Sequence, residues 1–194
     1  MATAILGDDQ RRPHATLTFA SSLTICLLVR QWALPAADRP GGGHAAPTTP
    51  LDQMRVTNPC ERPADPLWSE FPPSVVAVAW QHWWDLMVGM ALQRSIFDPS
   101  VTPRIDTRLT DLSERPYVQR WVAREKRAFT RTRPRVLPPG MTGRLTGPLS
   151  IHVVAASGVQ LLPLAADNFL ATADLVADPD EYSRQLSAYI DNLH

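Results

Sequence analysis

The feature that most constrains the fold is a tryptophan-rich segment in the middle of the chain, from Val75 to Phe97. On a helical wheel its apolar side chains fill an arc of about 200°, much wider than the stripe of a helix that lies on a surface. Three tryptophans within five residues would each bury roughly 150–250 Å². The arc consists of Val76, Trp80, Trp83, Trp84, Leu86, Met87, Met90 and Ala91. We therefore predict a central helix over residues 75–97, surrounded by other elements.

Shorter patterns on the C-terminal side predict a sheet and a further helix. Residues 147–164 alternate apolar and polar side chains around a Ser157-Gly158 turn, which predicts a β-hairpin. Residues 169–176 predict one more short strand, and a helix begins after an N-cap at Asp178. The predicted fold class is α+β, with a small antiparallel sheet packed against two or three amphipathic helices.

The segment from Ala15 to Val29 allows two interpretations. Apolar residues alternate with threonine and serine over most of it, which is typical of a half-buried strand. The alternative is the apolar core of an export signal, preceded by Arg11 and Arg12 and followed by a small-residue site at 35–37. Two aspartates cancel the preceding positive charge, so we favour a strand. The run is also too short and too polar to span a membrane.

These patterns divide the chain into three parts. Residues 1–34 form an N-terminal arm with the amphipathic strand, or a signal-like segment. Residues 35–66 are rich in proline and glycine and predict a linker without periodic structure. Residues 67–194 are long enough to form one α+β domain with a core of its own. Within that domain, residues 99–112 are polar and predict a loop.

Charge and cysteine content limit the functions that the whole molecule can have. Acidic and basic residues balance, so any nucleic-acid binding has to be local. Eighteen of the nineteen basic residues are arginine, a bias that also arises in GC-rich genomes and is weak evidence on its own. The two cysteines, Cys26 and Cys60, do not have metal-ligand spacing, and we predict two free thiols rather than a disulfide.

A second predicted helix, over residues 114–131 with Ser113 as its N-cap, carries a local excess of positive charge. Residues 113–135 contain eight basic and two acidic side chains. Four arginines with i, i+4, i+7, i+11 spacing share one narrow face, which we call the Arg stripe: Arg120, Arg124, Arg127 and Arg131. Arg133 and Arg135 extend the charge into the next loop. Like charges at such spacings repel by a few tenths of a kcal/mol, so the stripe is favourable only beside an anion.

The Arg stripe has three interpretations. It is a solvated face whose charges pair with acids such as Asp178, Asp180, Glu181 or Asp191, or it faces the phosphates of a nucleic acid. The third interpretation is contact with an acidic protein or an anionic lipid headgroup. Our leading hypothesis is a non-enzymatic accessory module that binds an anionic partner through the stripe, RNA or DNA ahead of protein.

The alternative hypothesis is a small enzyme with an apolar, tryptophan-lined pocket. His82 and Asp85, at i, i+3 on the Trp-rich helix, could act as an acid-base pair, although a solvated polar face explains them more simply. Glu125 projects from the apolar face of the Arg-rich helix, where a carboxylate has to pair, protonate or face a cleft. We expect no metal site and no cofactor, because the histidines are scattered and no nucleophile or phosphate motif is present. An intracellular location is favoured over export.

Overall fold

The protein is an α+β fold with a small sheet between two groups of helices. The computed structural model describes residues 14–33, 50–65, 67–92, 104–132, 135–137, 141, 144–145, 147–158, 160–165 and 167–191. The helices are α1 (Ser21–Ala33), α2 (Pro50–Gln53), α3 (Leu67–Glu70), α4 (Pro73–Ala91), α5 (Arg104–Glu114), α6 (Pro116–Thr132), α7 (Ala173–Ala177) and α8 (Pro179–Asp191). The strands are β1 (Ala15–Phe19), β2 (Arg55–Val56), β3 (Leu149–Val154), β4 (Ala156–Ser157), β5 (Leu161–Ala165) and β6 (Asn168–Thr172).

The main sheet has four strands in the order β1-β3-β6-β5. β1 pairs with β3 and β3 pairs with β6 in parallel, and only β5 runs antiparallel to its neighbour β6. The predicted α+β class with a small sheet is confirmed, but the prediction that the sheet is antiparallel was wrong. β5 contains Pro163 and lies at the edge, where a missing N–H group interrupts no ladder.

The predicted hairpin between residues 147 and 164 does not form. β6 lies between β3 and β5, so the true hairpin of this sheet joins β5 to β6. Around the predicted turn, Ala156–Ser157 pairs instead with Arg55–Val56 in a separate two-stranded ladder. The alternation predicted β3 correctly but placed a turn where β4 lies, because the partner of β4 is far away in sequence and leaves no local signal.

The first segment of the described chain forms a short strand and then a helix. The strand prediction for 15–29 is correct for β1, but from Ser21 onwards the chain is helical. The Ala20 N–H still donates to the Val153 carbonyl, whereas the Ala20 carbonyl already accepts from the Thr24 N–H, at 2.9 Å. Every residue from Leu23 to Arg30 is buried, so α1 is apolar nearly all round and has no amphipathic period to detect.

α1 occupies the centre of the larger of two apolar cores. This core packs α1, α4, α5 and α6 on one side of the sheet, against Val154 and Leu170. The other core packs α7 and α8 against the opposite face, where Ile151, Val153 and Phe169 are buried. Cleavage of an export signal at 35–37 would remove both β1 and the helix at the centre of this core. Within the described residues, no helix combines the length and apolarity needed to cross a membrane.

The Trp-rich helix α4 packs against α1 but is not surrounded by other elements. Trp80, Trp83 and Trp84 are buried, as predicted, whereas Val78 is 73% exposed and Met90 is 61% exposed. α4 begins with proline at its first turn and the described helix ends at Ala91, so residues 93–97 of the prediction lie outside the described part of the chain. The helix that other elements enclose is α1 instead.

The described part of the predicted linker, residues 50–65, is bound to the core. Met54 and Val56 are buried, and α2 and β2 give the segment short regular structure. Side chains from the helices bind its carbonyl groups: Trp32 Nε1 donates to the Cys60 carbonyl at 3.3 Å and Trp121 Nε1 to that of Asn58 at 2.8 Å. Such contacts provide hydrogen bonds for backbone carbonyl groups that are not paired within a sheet. Because the donors lie on other elements, the linker sequence itself does not reveal these contacts.

Candidate anion-binding surface

The helix that carries the Arg stripe begins later than the sequence predicts. α5 covers most of the predicted loop at 99–112, with Leu109 and Leu112 buried, and continues through Ser113 to Glu114. Ser113 is therefore not an N-cap, and its hydroxyl donates to the Thr110 carbonyl one turn earlier, at 2.6 Å. α6 starts at Pro116, where a proline lacks only an N–H group that the first turn would leave unused.

α6 has the two faces that its sequence predicts. Val118, Trp121 and Val122 are buried in the larger core, and Trp121 also anchors the helix through its bond to the Asn58 carbonyl. The four arginines of the Arg stripe are all exposed on the outer side. Over eleven residues of helix the stripe extends about 16 Å, close to the axial rise of about five nucleotides in one DNA strand.

Three of the four stripe arginines are free within the part of the chain that the structure describes. Arg120, Arg127 and Arg131 make no hydrogen bond or ion pair with any described residue. Arg124 differs, because its guanidinium lies 2.9 Å from Glu125 Oε1 and donates to the Asn58 carbonyl at 3.0 Å. Arg135 is exposed and likewise has no partner among the described residues, and Arg133 lies outside them.

Three of the four acids proposed as partners of the stripe are engaged elsewhere. Asp178 caps α8 by accepting from the Glu181 N–H at 3.1 Å, and Glu181 itself pairs with Arg184. Asp191 pairs with Arg144. Asp180 is exposed in the first turn of α8 and forms no ion pair with a described arginine. None of these four acids pairs with an arginine of the Arg stripe, and the one acid among the described residues that does so is Glu125.

Glu125 both pairs and faces a cavity. Its carboxylate accepts from Arg124 Nε at 3.0 Å, and only 11% of its side chain is exposed. On its other side it lines a cavity of about 550 Å³ between α6, α7 and the start of α8, which we call the α6–α7 cavity. Glu125 is therefore neutralised by its neighbour in the sequence, which the spacing on a helical wheel does not reveal.

The structure does not bring the three catalytic candidates into one cavity. His82 and Asp85 are exposed on α4, and Asp85 accepts a hydrogen bond from the Gln81 amide at 3.0 Å. Neither side chain lines the α6–α7 cavity that contains Glu125. A second cavity, of about 660 Å³, lies over the polar face of the sheet near Thr18 and His152, and it also lacks both candidates.

Neither of these two cavities is lined by a tryptophan, so neither is the predicted tryptophan-lined pocket. Trp80, Trp83 and Trp84 fill the core between α4 and α1, and the α6–α7 cavity has Phe19, Phe129 and Tyr182 as its aromatic lining. Sequence reasoning missed these three aromatic residues because they come from segments that are distant in the sequence.

Among the described residues, no group of three His, Cys, Asp or Glu side chains is arranged to hold a metal ion. No family model, curated protein or solved structure matches this chain.

Proposed function

We propose that this protein is a non-enzymatic interaction module whose Arg stripe binds the phosphate groups of a nucleic acid. The observation that carries the proposal is that Arg120, Arg127 and Arg131 are exposed on one side of α6 and form no ion pair with a described acid. Guanidinium groups offer forked donors that match phosphate oxygens.

The packing of α6 supports this proposal. The helix is held in place by three buried side chains and by the bond from Trp121 to Asn58, so the exposed arginines share a fixed scaffold. A surface whose geometry is set before binding loses less entropy when a partner binds. Because net charge is zero, electrostatic attraction has to be local, and within the described part of the chain we place it at this face and at Arg135.

The number of free arginines sets the expected salt dependence. Three stripe arginines and Arg135 give three to four phosphate contacts, hence a slope of about −2.7 to −3.6 for binding to duplex DNA. Raising the salt concentration from 50 to 200 mM would then weaken binding roughly 40- to 150-fold. Single-stranded RNA would show a shallower slope, at about −0.7 per contact.

The test is fluorescence anisotropy with a labelled 20-nucleotide RNA and a labelled 20-base-pair DNA, each at both salt concentrations. The triple variant R120Q/R127Q/R131Q should lose most of the binding and most of the salt dependence. The control is R62Q/R144Q/R184Q, which removes the same charge at other sites. Equal effects of the two variants, or no binding by the wild type at 50 mM salt, would refute the proposal. Binding to an acidic polypeptide or to anionic vesicles alone would replace nucleic acid by another class of partner.

A further inference from the structure

The α6–α7 cavity shares Arg135 with the proposed nucleic-acid surface but is lined by none of the four arginines of the Arg stripe. Its volume of about 550 Å³ lies within the range of about 300–1,000 Å³ typical of small-molecule sites. Phe19 at the end of β1, Phe129 on α6 and Val176 on α7 give it an apolar interior. Small side chains, Ala128 and Ala173 among them, leave the space between these elements open. The cavity thus has the size and the lining of a site for an apolar group.

The polar groups of this cavity indicate the charge of its ligand. Glu125 is neutralised by Arg124, and the Tyr182 hydroxyl donates to the Val136 carbonyl at 3.0 Å. Burial raises the pKa of the Tyr182 phenol well above its ordinary value, so this group stays uncharged near neutral pH. Arg135 is exposed and is the one charged group of the lining without a partner among the described residues.

We propose that the α6–α7 cavity binds a small carboxylate with an apolar body, whose carboxylate pairs with Arg135. The apolar body packs against Val176 and against the Phe19–Phe129 ring pair, whose centroids lie 5.7 Å apart, and there it removes apolar surface from water. The carboxylate remains close to the exposed guanidinium, which provides two parallel donors. Arg135 is the one residue that both proposals use, and the apolar lining and the Arg stripe are tested by separate variants, so either proposal can fail without the other.

Two dyes of similar shape test the site in the full-length protein. 1-Anilinonaphthalene-8-sulfonate has an apolar body and one negative charge, and N-phenyl-1-naphthylamine is its uncharged counterpart. We expect one equivalent of the anionic dye to bind with enhanced fluorescence, and dodecanoate to displace it. Dodecylamine, which is cationic, should displace it at least tenfold less effectively. Equal displacement by the two competitors would overturn the assignment of charge.

Variants that fill the cavity test whether the dye binds inside it. A128F fills the cavity from α6, and A123F adds the same side chain at an exposed position of α6 that does not line it. We expect at least tenfold weaker dye binding for A128F and no change for A123F. A177F, which fills the cavity from α7, replaces A128F if that variant does not fold. Unchanged binding in a folded filling variant would show that the dye lies elsewhere.

A charge variant tests the role of Arg135. R135Q should weaken binding of the anionic dye up to about fivefold, the upper range for an exposed ion pair, and leave the neutral dye unaffected. R127Q, which removes an equal charge from the Arg stripe, should change neither dye by more than about 1.5-fold. If R135Q leaves the anionic dye unaffected, or R127Q weakens it as much, Arg135 is not the partner of the anion.

Discussion

The contact between Arg30 on α1 and Trp80 on α4 should couple the two helices measurably. The Arg30 guanidinium carbon lies 5.1 Å from the centre of the Trp80 ring, and both side chains are buried. Trp80 Nε1 also donates to the Cys26 carbonyl at 2.8 Å, and Arg30 donates to the Leu51 carbonyl at 2.7 Å. A cation this close to an aromatic face and removed from water contributes about 1–2 kcal/mol.

Each single substitution removes further interactions besides the coupling between Arg30 and Trp80. Trp80→Leu loses one hydrogen bond and leaves part of the ring volume empty, which together should cost about 3–4 kcal/mol. Arg30→Met keeps the aliphatic stem but leaves the Leu51 carbonyl without this donor. We expect a loss of about 1–3 kcal/mol, partly offset because a buried charge is removed.

A double-mutant cycle separates the coupling from these losses. The free energy of unfolding of wild type, both single variants and the double variant is measured by urea denaturation followed by far-UV circular dichroism. The double variant should be about 1–2 kcal/mol more stable than the sum of the single effects implies. Trp83→Leu combined with Arg30→Met provides a control on the same helix. A coupling within about 0.3 kcal/mol of zero would refute the cation–π assignment.

Two further predictions concern titration and thiol reactivity. Hydrogen bonds from Arg184 and Gln185 lower the pKa of Glu181 to about 2 from an ordinary value near 4.5, so the stability that this carboxylate contributes is complete above pH 4.5 and is lost as pH falls towards 2. Denaturation midpoints of Glu181→Gln should therefore vary less between pH 5 and pH 2 than those of wild type, and parallel profiles would contradict this. Both cysteines are free thiols, and burial raises the pKa of Cys26 well above that of an ordinary thiol and raises that of half-buried Cys60 as well. In native protein at pH 8, Ellman's reagent should modify Cys60 at least tenfold faster than Cys26, and equal rates would argue against the packing of α1.

Amphipathic elements could be predicted from the sequence, and fully buried or non-local features could not. α6 and α8 each bury one side, so their periodicity identified them, and the Asp178 cap was confirmed. α1 buries nearly all its sides, and its first half continues the alternation of apolar residues with Thr and Ser that is typical of a strand. Tertiary packing therefore decided its conformation. β3 pairs in parallel with β1, which is distant in sequence, and with β6 rather than with β5, so the alternation that suggested a hairpin did not reveal its partners.

The contacts of the candidate site could not be predicted from the sequence either, and they change the interpretation of the Arg stripe. The wheel gave four equivalent arginines and one unexplained carboxylate, Glu125. In the structure the carboxylate binds Arg124, so positive charge is neutralised in the middle of the stripe and remains free at Arg120, Arg127 and Arg131. The pairing removes repulsion from the two closest contacts of Arg124, each worth a few tenths of a kcal/mol. A phosphate has to compete with Glu125 for Arg124 but meets no competing acid among the described residues at the other three. The contacts that determine affinity are thus expected at the two ends of the stripe, with Arg124 serving mainly to hold Glu125 and the Asn58 loop.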